Sequence, residues 1–271
     1  MRSALNSLPR QWSMGCSLVV RRVVTFVRGH EGPFLCVLRL QTRAPAGEEV
    51  EISFVEAFDL PDAWFTLLGK VLDEGREYVV TQGSFVGKRR KELDFIALKV
   101  TNPGQRPLVP QMPPGVGVPP PTTMEYVEEY YHNYFVGAEK QPHEEYTYGS
   151  YVHAQLLPLL EKYQQGPETN QGCITIGDAS SILLEHPPCL RLIDTRVQDG
   201  RLHFVVYYRS WDLWGGFPVN MAATQLLKEE LALALEVEDG DIIALSKGLH
   251  LWEHSWEWAE CRLWRDRVDS Q

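Results

Sequence analysis

The sequence predicts an α+β fold. Short runs rich in β-branched and aromatic residues, such as 202–208, alternate with segments whose apolar residues recur at helical spacing, such as 61–74. Turns rich in Pro, Gly and polar residues separate these runs, and the longest of them spans 102–121. Such an alternation is typical of strands and helices packed around a common hydrophobic core.

Composition suits one large domain, or a domain with a small extension. The chain has 271 residues, of which 44% are hydrophobic, so it can bury a sizeable core. The pattern predicts a β-rich N-terminal extension over 1–60 and the main domain over 61–271. The formal net charge of −10 makes nonspecific nucleic-acid binding a poor prediction, because that binding needs a basic surface.

The cysteines indicate the compartment. There are five, scattered along the chain and without a C-x-x-C pair, which argues against a zinc site and against a disulfide framework. A reducing, cytoplasmic location is therefore predicted. The apolar run at 16–20 is cut by Arg21 and Arg22, so neither a membrane span nor a signal peptide is expected there.

Each remaining element follows from its own local pattern. Pro61-Asp62 starts a helix that Gly75 stops, and Thr122 or Thr123 caps a tyrosine-rich helix. Further helices are predicted at 151–163, 221–235 and 256–264. Strands are predicted at 16–26, 34–42, 50–54, 78–81, 94–101, 202–208 and 242–246.

The stretch 187–220 carries the chemistry. Two prolines precede a cysteine. The predicted strand 202–208 follows, and after it come Arg-Ser-Trp-Asp and a Gly-Gly turn. A thiol, a guanidinium, a hydroxyl, a carboxylate and a carboxamide thus gather around one strand and one strand-to-helix turn. Together they can attack an electrophile, hold an anion and bind a polar ring. These groups belong to Cys189, Arg209, Ser210, Asp212 and Asn220.

This arrangement resembles the thymidylate synthase family, including its pyrimidine nucleotide hydroxymethylases. The shared elements are Pro-Cys, Arg-Ser-x-Asp, Gly-x-Pro-x-Asn and the later His250, and the intervals between them agree without gaps. The clear resemblance covers about residues 146–260, and a fainter one covers 67–137. It implies a thymidylate synthase-like mixed β-sheet with helices packed on one face, and a symmetric homodimer.

The resemblance implies covalent catalysis by Cys189. A thiolate that adds to C6 of a pyrimidine makes C5 nucleophilic enough to attack a one-carbon unit. The implied cofactor is 5,10-methylenetetrahydrofolate or a related methylene-tetrahydropterin. The thiol needs a lowered pKa, which a neighbouring guanidinium such as Arg209 could supply. The alternative for a lone cysteine is an inert buried side chain.

Several substrate ligands are implied in the same way. Arg209 and Ser210 correspond to phosphate ligands, although an ion pair between Arg209 and Asp212 is an alternative. Asn220 corresponds to the residue that binds the base, and its amide suits the N3–H and O4 of uracil. His250 corresponds to a ribose ligand, although a lone histidine is more often structural.

Further site residues follow from the remaining elements. Tyr148 belongs to the Tyr-Gly element and is expected at the substrate, as is Trp252, which replaces a tyrosine beside His250. Asp212 and Gly216 are expected to bind the pterin ring, with Gly215 allowing close approach of the backbone. Glu129 is the candidate for the glutamate that organises water and proton transfer at the pyrimidine carbonyl. Glu128 is the alternative, and an exposed pair is a third possibility.

Other positions depart from the family pattern. Gln82 and Asn170-Gln171 stand where arginines usually bind the phosphate. Arg89 and Arg90 could substitute, or could form a solvated basic turn. No tryptophan lies between Trp64 and Trp211, an interval in which the synthases commonly place one against the intermediate.

The function predicted first is thymidylate synthesis, in which dUMP is methylated at C5 to dTMP. The second is (deoxy)pyrimidine nucleotide 5-hydroxymethylation. The third is a non-catalytic nucleotide-binding protein on this fold, which the missing arginines suggest.

Overall fold

The computed structural model describes the strand backbones at 21–26 and 36–41 and then residues 49–265, apart from 84, 114, 116 and 143. The chain divides into two compact units, with the boundary between Glu49 and Val50. In the first, β1 (Arg21–Phe26) pairs antiparallel with β2 (Cys36–Gln41). These strands overlap two of the predicted ones, whose remaining residues lie outside the described part of the chain.

The second unit is built on a six-stranded mixed sheet. Its spatial order is β3-β6-β11-β9-β8-β7, with parallel pairs β3/β6 and β11/β9 among antiparallel neighbours. The strands are β3 (Ile52–Ala57), β6 (Phe95–Val100), β7 (Cys173–Thr175), β8 (Leu190–Gln198), β9 (Arg201–Tyr208) and β11 (Glu238–Ser246). The predicted 1–60 extension stays a prediction, but β3 overlaps its third strand and belongs to this sheet.

A smaller, four-stranded sheet includes Trp211 and Asp212 from the stretch 187–220. Its order is β10-β12-β5-β4, and β10 runs parallel to β12. The strands are β4 (Arg76–Val79), β5 (Arg89–Leu93), β10 (Trp211–Asp212) and β12 (Leu249–Trp252). The sequence pattern did not predict β5, because its Arg-Arg-Lys-Glu sequence lacks apolar alternation. The segment is a strand because it pairs with a neighbouring strand on each edge, β12 and β4.

The helices pack against one face of the large sheet. Residues on that face of β9, such as Phe204 and Val206, are fully buried, while their neighbours Val205 and Tyr207 remain partly exposed. The predicted α+β architecture with a mixed sheet is confirmed. The α-helices are α1 (Leu60–Glu74), α2 (Met124–Tyr130), α3 (Gly149–Gln165), α4 (Gly216–Ala234) and α5 (Glu253–Arg262). A π-helical turn, Tyr131–Phe135, follows α2, and a 3₁₀ turn covers Ala179–Leu183.

Helix α1 shows how local signals and the core agree. The Asp59 side chain caps it by accepting the backbone N–H of Asp62 (2.8 Å). A Cβ on Gly75 would lie 2.3 Å from the carbonyl oxygen of Val71, so this close approach requires glycine. The buried Trp64 donates its indole N–H to the carbonyl of Leu213 (2.9 Å), which anchors the segment after β10.

Helix α4 begins earlier than predicted. The sequence pattern placed its start at Met221, whereas the helix runs from Gly216. Pro218 in the first turn is compatible with this, because its missing N–H falls where the helix offers no backbone acceptor. Asp212 accepts the N–H groups of Gly215 and Gly216 through one oxygen, Oδ2 (3.0 Å each). Asn220 therefore lies on a helix and not in the turn before it.

No helix in the described part of the chain is both long and apolar enough to span a bilayer.

Candidate active site

The proposed nucleophile lies between a proline turn and β8. Cys189 is partly buried, and its carbonyl oxygen accepts the backbone N–H of Arg209 (2.9 Å) at the end of β9. The guanidinium of Arg209 donates from Nε to the carbonyl of Pro188 (3.1 Å) and from Nη2 to that of Pro187. Arg209 thus fixes the Pro-Pro-Cys turn, and donor capacity remains on Nη1.

Burial and the neighbouring guanidinium act in opposite directions on the pKa of the Cys189 thiol. Burial raises the pKa of Cys189 above its ordinary value of 9, and the opposing effect of Arg209 is smaller. Arg209 does lower the pKa of the thiol, as predicted, but burial outweighs this effect. The guanidinium is already bound to two carbonyl oxygens, and the buried thiol lies among tyrosines.

Those tyrosines form one wall of the site. Tyr148 accepts the backbone N–H of Leu190 (3.3 Å), the residue after Cys189, and its ring packs edge-on against Tyr134 (5.2 Å between centroids). Tyr146 stacks on Tyr148 (6.0 Å). Burial, followed by the interaction with Cys189, raises the pKa of Tyr146 to about 12, so this phenol stays protonated at neutral pH. Tyr148 was expected here, whereas sequence reasoning missed Tyr134 and Tyr146.

Asp212 and Arg209 have separate partners. Asp212 binds the first amides of α4, and Arg209 binds the proline turn. The alternative ion pair between these two side chains does not form within the residues that the structure describes. Ser210 lies between them in sequence and is partly buried.

Asn220 is held on both ends of its amide. Its Oδ1 accepts the indole N–H of Trp211 (3.0 Å), and its Nδ2 donates to the hydroxyl of Tyr130 (2.9 Å). Neither partner was predicted from the sequence. Trp211 occupies the variable position x of the Arg-Ser-x-Asp element. A tryptophan there is the sequence signal for an indole donor next to the site.

His250 lies next to Asp212 through strand pairing. Their Cα atoms are partners in the parallel register of β10 and β12, and His250 is 3% exposed. Its Nδ1 lies 2.8 Å from the carbonyl of Gly248; since a carbonyl only accepts, Nδ1 carries the proton and Nε2 is left as an acceptor. Burial lowers the pKa of His250 to about 4, so the ring is neutral at pH 7. Trp252 packs edge-on against this ring (4.9 Å, 83°).

The expected glutamate does not join this cluster. Glu128 and Glu129 are both exposed on α2, while Val127 and Tyr131 face the core. Helical geometry then turns Tyr130, rather than either glutamate, towards Asn220. The role of Glu129 in proton transfer, with Glu128 as the alternative, stays a prediction.

The two arginines that follow Gln82 in the chain are both ion-paired. Arg89 pairs with Glu77 and with Glu253 (2.9 Å). Arg90 pairs with Glu92 (2.7 Å) and donates to the phenol of Tyr78. Neither guanidinium is free to replace the arginine absent at the exposed Gln82, so the expected substitution is not supported. Among the other departures, Gln171 accepts from the ammonium of Lys162 (3.0 Å).

The sequence comparisons agree with this geometry. A family model described as thymidylate synthase matches residues 133–270, just over half of the chain, including Cys189, Arg209, Asn220 and His250. The chain belongs to the thymidylate synthase family. The predicted resemblance over about 146–260 falls inside the matched range.

Curated relatives cover most of the chain. A protein of Methanosarcina acetivorans named "Putative thymidylate synthase" is 25% identical over 213 residues, which is 76% of this chain and 92% of the relative. A protein of the same name from Methanothermobacter thermautotrophicus is 25% identical over 76% of this chain and 96% of its own length. The thymidylate synthase of Staphylococcus haemolyticus is 28% identical over 42% of this chain and 36% of its own length.

Proposed function

We propose that the protein methylates dUMP at C5 to give dTMP, using 5,10-methylenetetrahydrofolate or a related methylene-tetrahydropterin. One observation carries this proposal. Backbone hydrogen bonds and strand register join the residue with the thiol to the residue with the guanidinium and the residue with the carboxylate to the residue with the imidazole, and the same carboxylate binds the first amides of α4, the helix that carries the carboxamide. These groups belong to Cys189, Arg209, Asp212, Asn220 and His250.

Cys189 supplies the covalent step. Its thiol loses a proton, Sγ forms a bond to C6, and the electron pair of the C5–C6 double bond moves towards C5 and O4. The resulting carbon nucleophile at C5 attacks the one-carbon unit and later loses its proton. The one-carbon unit would separate from the pterin nitrogen, and the thiolate of Cys189 then leaves C6 as hydride or water adds to the methylene carbon, which restores the C5–C6 double bond.

The nucleotide is held by groups on three elements. Nη1 of Arg209 and the hydroxyl of Ser210 can donate to a phosphate. Neutral Nε2 of His250 can accept a ribose hydroxyl, beside Trp252. The amide of Asn220 offers an acceptor for N3–H and a donor for O4 of uracil.

The turn before α4 fits a flat pterin ring. A Cβ on Gly216 would lie 3.3 Å from the Cβ of Asp212, so a side chain at this position would crowd Asp212. Asp212 retains acceptor capacity beyond its two helix amides, which suits the N–H groups of a pterin. When bound, the pterin supplies the one-carbon unit and, for methylation, the hydride.

Hydroxymethylation is the second candidate. It uses the same Cys189 addition, but water instead of hydride completes the reaction. The lack of any tryptophan between Trp64 and Trp211 favours it, since the synthases commonly place an indole from this interval against the intermediate.

Product mass distinguishes the candidates. The purified protein is incubated with methylenetetrahydrofolate and, separately, dUMP, dCMP, UMP, CMP or deoxyuridine. A product heavier by one CH₂ unit identifies methylation, and one heavier by CH₂O identifies hydroxymethylation. A preference for deoxyuridine over dUMP would contradict a phosphate site at Arg209.

Replacing the thiol tests the covalent mechanism. Cys189→Ser should lower kcat by about three orders of magnitude or more, because a hydroxyl is a much weaker nucleophile at neutral pH, while the Kd for the nucleotide changes little. Cys173→Ser, which removes an exposed thiol of β7, serves as the control. Near-normal turnover by Cys189→Ser would end the covalent mechanism. Nucleotide binding without turnover in the wild type would favour the non-catalytic alternative.

A symmetric homodimer is part of the proposal. The face of the large sheet away from the helices carries an apolar row across five strands, in which each residue is the register partner of the next. Phe54 at one end is 66% exposed. Such a face favours packing against a second copy. The row consists of Phe54, Ala97, Leu245, Tyr207 and Leu192.

The cytoplasmic location also remains a prediction. Cys173, Cys189 and Cys261 are free thiols, as expected for a reducing compartment.

A further inference from the structure

The amide of Asn220 is bound in a way that fixes its orientation. An indole N–H can donate a hydrogen bond but cannot accept one, so the amide atom 3.0 Å from Nε1 of Trp211 must be the oxygen. The nitrogen then points to the hydroxyl oxygen of Tyr130, 2.9 Å away, and donates to it. An amide with no such partner could turn by half a rotation and exchange its acceptor and donor.

Trp211 itself has little freedom to move. Its side chain is 3% exposed, and its ring stacks on Tyr208 with centroids 4.0 Å apart and planes 8° from parallel. Phe217 also packs against this ring, with centroids 4.7 Å apart. The backbone N–H of Trp211 donates to the carbonyl of Gly248 (2.9 Å), which ties β10 to β12. The indole N–H of Trp211 therefore keeps its position and cannot move to a new partner if the amide of Asn220 rotates.

Tyr130 reinforces the same orientation without imposing it. Its hydroxyl can donate or accept, so by itself it would tolerate either end of the amide. Burial raises the pKa of Tyr130 well above its ordinary value, so the phenol keeps its proton. Because the phenol oxygen accepts from Asn220, its own O–H can donate towards another acceptor. Trp211 is thus the partner that decides the orientation.

We propose that Trp211 is the positioning residue that selects uracil over cytosine at this site. This inference rests on the proposed function, since it assumes that a pyrimidine lies beside Asn220. With Oδ1 facing the indole, the remaining lone pair of Oδ1 and the remaining N–H of Nδ2 suit N3–H and O4 of uracil. Cytosine reverses both demands. An amide that rotated to serve cytosine would point its own N–H at the indole N–H and leave two buried donors unpaired.

The test measures binding, so it does not depend on turnover. Dissociation constants for dUMP and dCMP are determined by calorimetry on the full-length chain carrying Cys189→Ser, alone and combined with Trp211→Phe. Phenylalanine keeps an aromatic ring next to Tyr208 but removes the N–H. The control is Trp256→Phe, which also removes one indole hydrogen bond, the one to the carbonyl of Leu251 (3.0 Å). Trp256 lies on α5, whereas Asn220 lies on α4.

The expected result is a change in the ratio of the dissociation constants for dUMP and dCMP. The Cys189→Ser protein should prefer dUMP to dCMP; Trp211→Phe should reduce this preference about tenfold or more, and Trp256→Phe should leave it intact. A merely structural role of Trp211 would weaken both ligands equally, and an unchanged ratio would overturn the inference. A parent that prefers dCMP would overturn it too, while leaving nucleotide binding in place. A parent that binds neither ligand would overturn the proposed function and this inference with it.

A second replacement covers the case in which Trp211→Phe does not fold. Incorporation of 3-benzothienylalanine at position 211 keeps the bicyclic shape and replaces only the N–H with sulfur. The same loss of preference is expected from this variant, and a retained preference would contradict the role of the indole N–H.

Discussion

The reactivity of Cys189 is set by two opposing effects at a single atom. Burial raises the pKa of the thiol and the guanidinium of Arg209 lowers it, with burial dominant. Only the thiolate is nucleophilic, so most of the thiol is unreactive at neutral pH in the free protein. A bound nucleotide can change this balance only by altering the surroundings of the sulfur atom.

The pH dependence of alkylation tests this balance. The rate of iodoacetamide addition at Cys189, followed by site-resolved mass spectrometry, should continue to rise beyond pH 9 in the folded protein. In guanidinium the same cysteine should level off near its ordinary pKa, which provides the control. Arg209→Leu should shift the folded profile to still higher pH. A plateau below pH 8 in the native protein would show that the guanidinium dominates after all.

Base selection at Asn220 gives a second prediction at this scale. In Asn220→Asp, one carboxylate oxygen can still accept from Trp211, and the other can accept from the hydroxyl of Tyr130, whose donor and acceptor roles reverse. The carboxylate then accepts from the amino group of cytosine. We expect kcat/KM to favour dUMP in the wild type and to shift about ten- to a hundredfold towards dCMP in the variant.

The control for this shift is Asn102→Asp, an exposed asparagine in the loop after β6. It should leave the ratio of kcat/KM for the two nucleotides unchanged. A wild type that already prefers dCMP would show that Asn220 does not bind the base as proposed, and hydroxymethylation would become the better assignment.

Among the elements, α4 combines site geometry with a buried charge. Its first turn carries Asn220, and two turns later Lys228 is fully buried, donating to the carbonyl of Gly240 and lying 3.1 Å from Asp239. Burial, partly offset by Asp239, lowers the pKa of Lys228 from 10.5 to about 8. The lysine thus carries a desolvation cost that depends on pH.

The free energy of unfolding should depend on pH because of Lys228. Between about pH 8 and 10.5 the unfolded chain holds the Lys228 proton and the folded chain does not, so this group makes the free energy of unfolding rise with pH. The contribution is at most about 3 kcal/mol. Below pH 8 both states are protonated and the slope vanishes. Relative to Lys228→Met, the wild type should therefore gain stability from pH 8 to 9.5 in guanidinium titrations at fixed protein concentration.

Lys247→Met, at an exposed position just after β11, is the matched control for that comparison. Its stability should run parallel to that of the wild type over the same range. Parallel curves for Lys228→Met and the wild type would mean that Lys228 keeps an ordinary pKa in the folded protein.

For the whole molecule, the unpaired face of the large sheet is the feature with a consequence for assembly. The wild type should have twice the chain mass of 31.0 kDa by light scattering at micromolar concentration. Leu245→Lys places a charge in the middle of the apolar row, where burial against a second copy would be costly, and should give monomers. Leu157→Lys, on the exposed side of α3, should remain dimeric. A monomeric wild type would remove the dimer from the proposal.

Local pattern predicted much of the architecture. The end of α1 at Gly75, the helix after Thr123 and the alternating strand β9 were all visible in the sequence, because each depends on neighbours along the chain. β5 and the first turn of α4 were not, because pairing with other strands and a carboxylate from β10 stabilise them. The contact of Tyr130 with Asn220 was not visible either, since which face of a helix meets the site depends on packing.

The sequence by itself determined the identities and order of the chemical groups. A thiol behind two prolines, Arg-Ser-x-Asp, an asparagine and a histidine at family intervals define what the site can do. Only the tertiary structure decided the state of those groups. The pKa of Cys189, the tautomer of His250 and the orientation of the Asn220 amide depend on burial and on partners far away in sequence, such as Tyr130. Such contacts exist only once the sheet and helices have packed, so no local pattern can encode them.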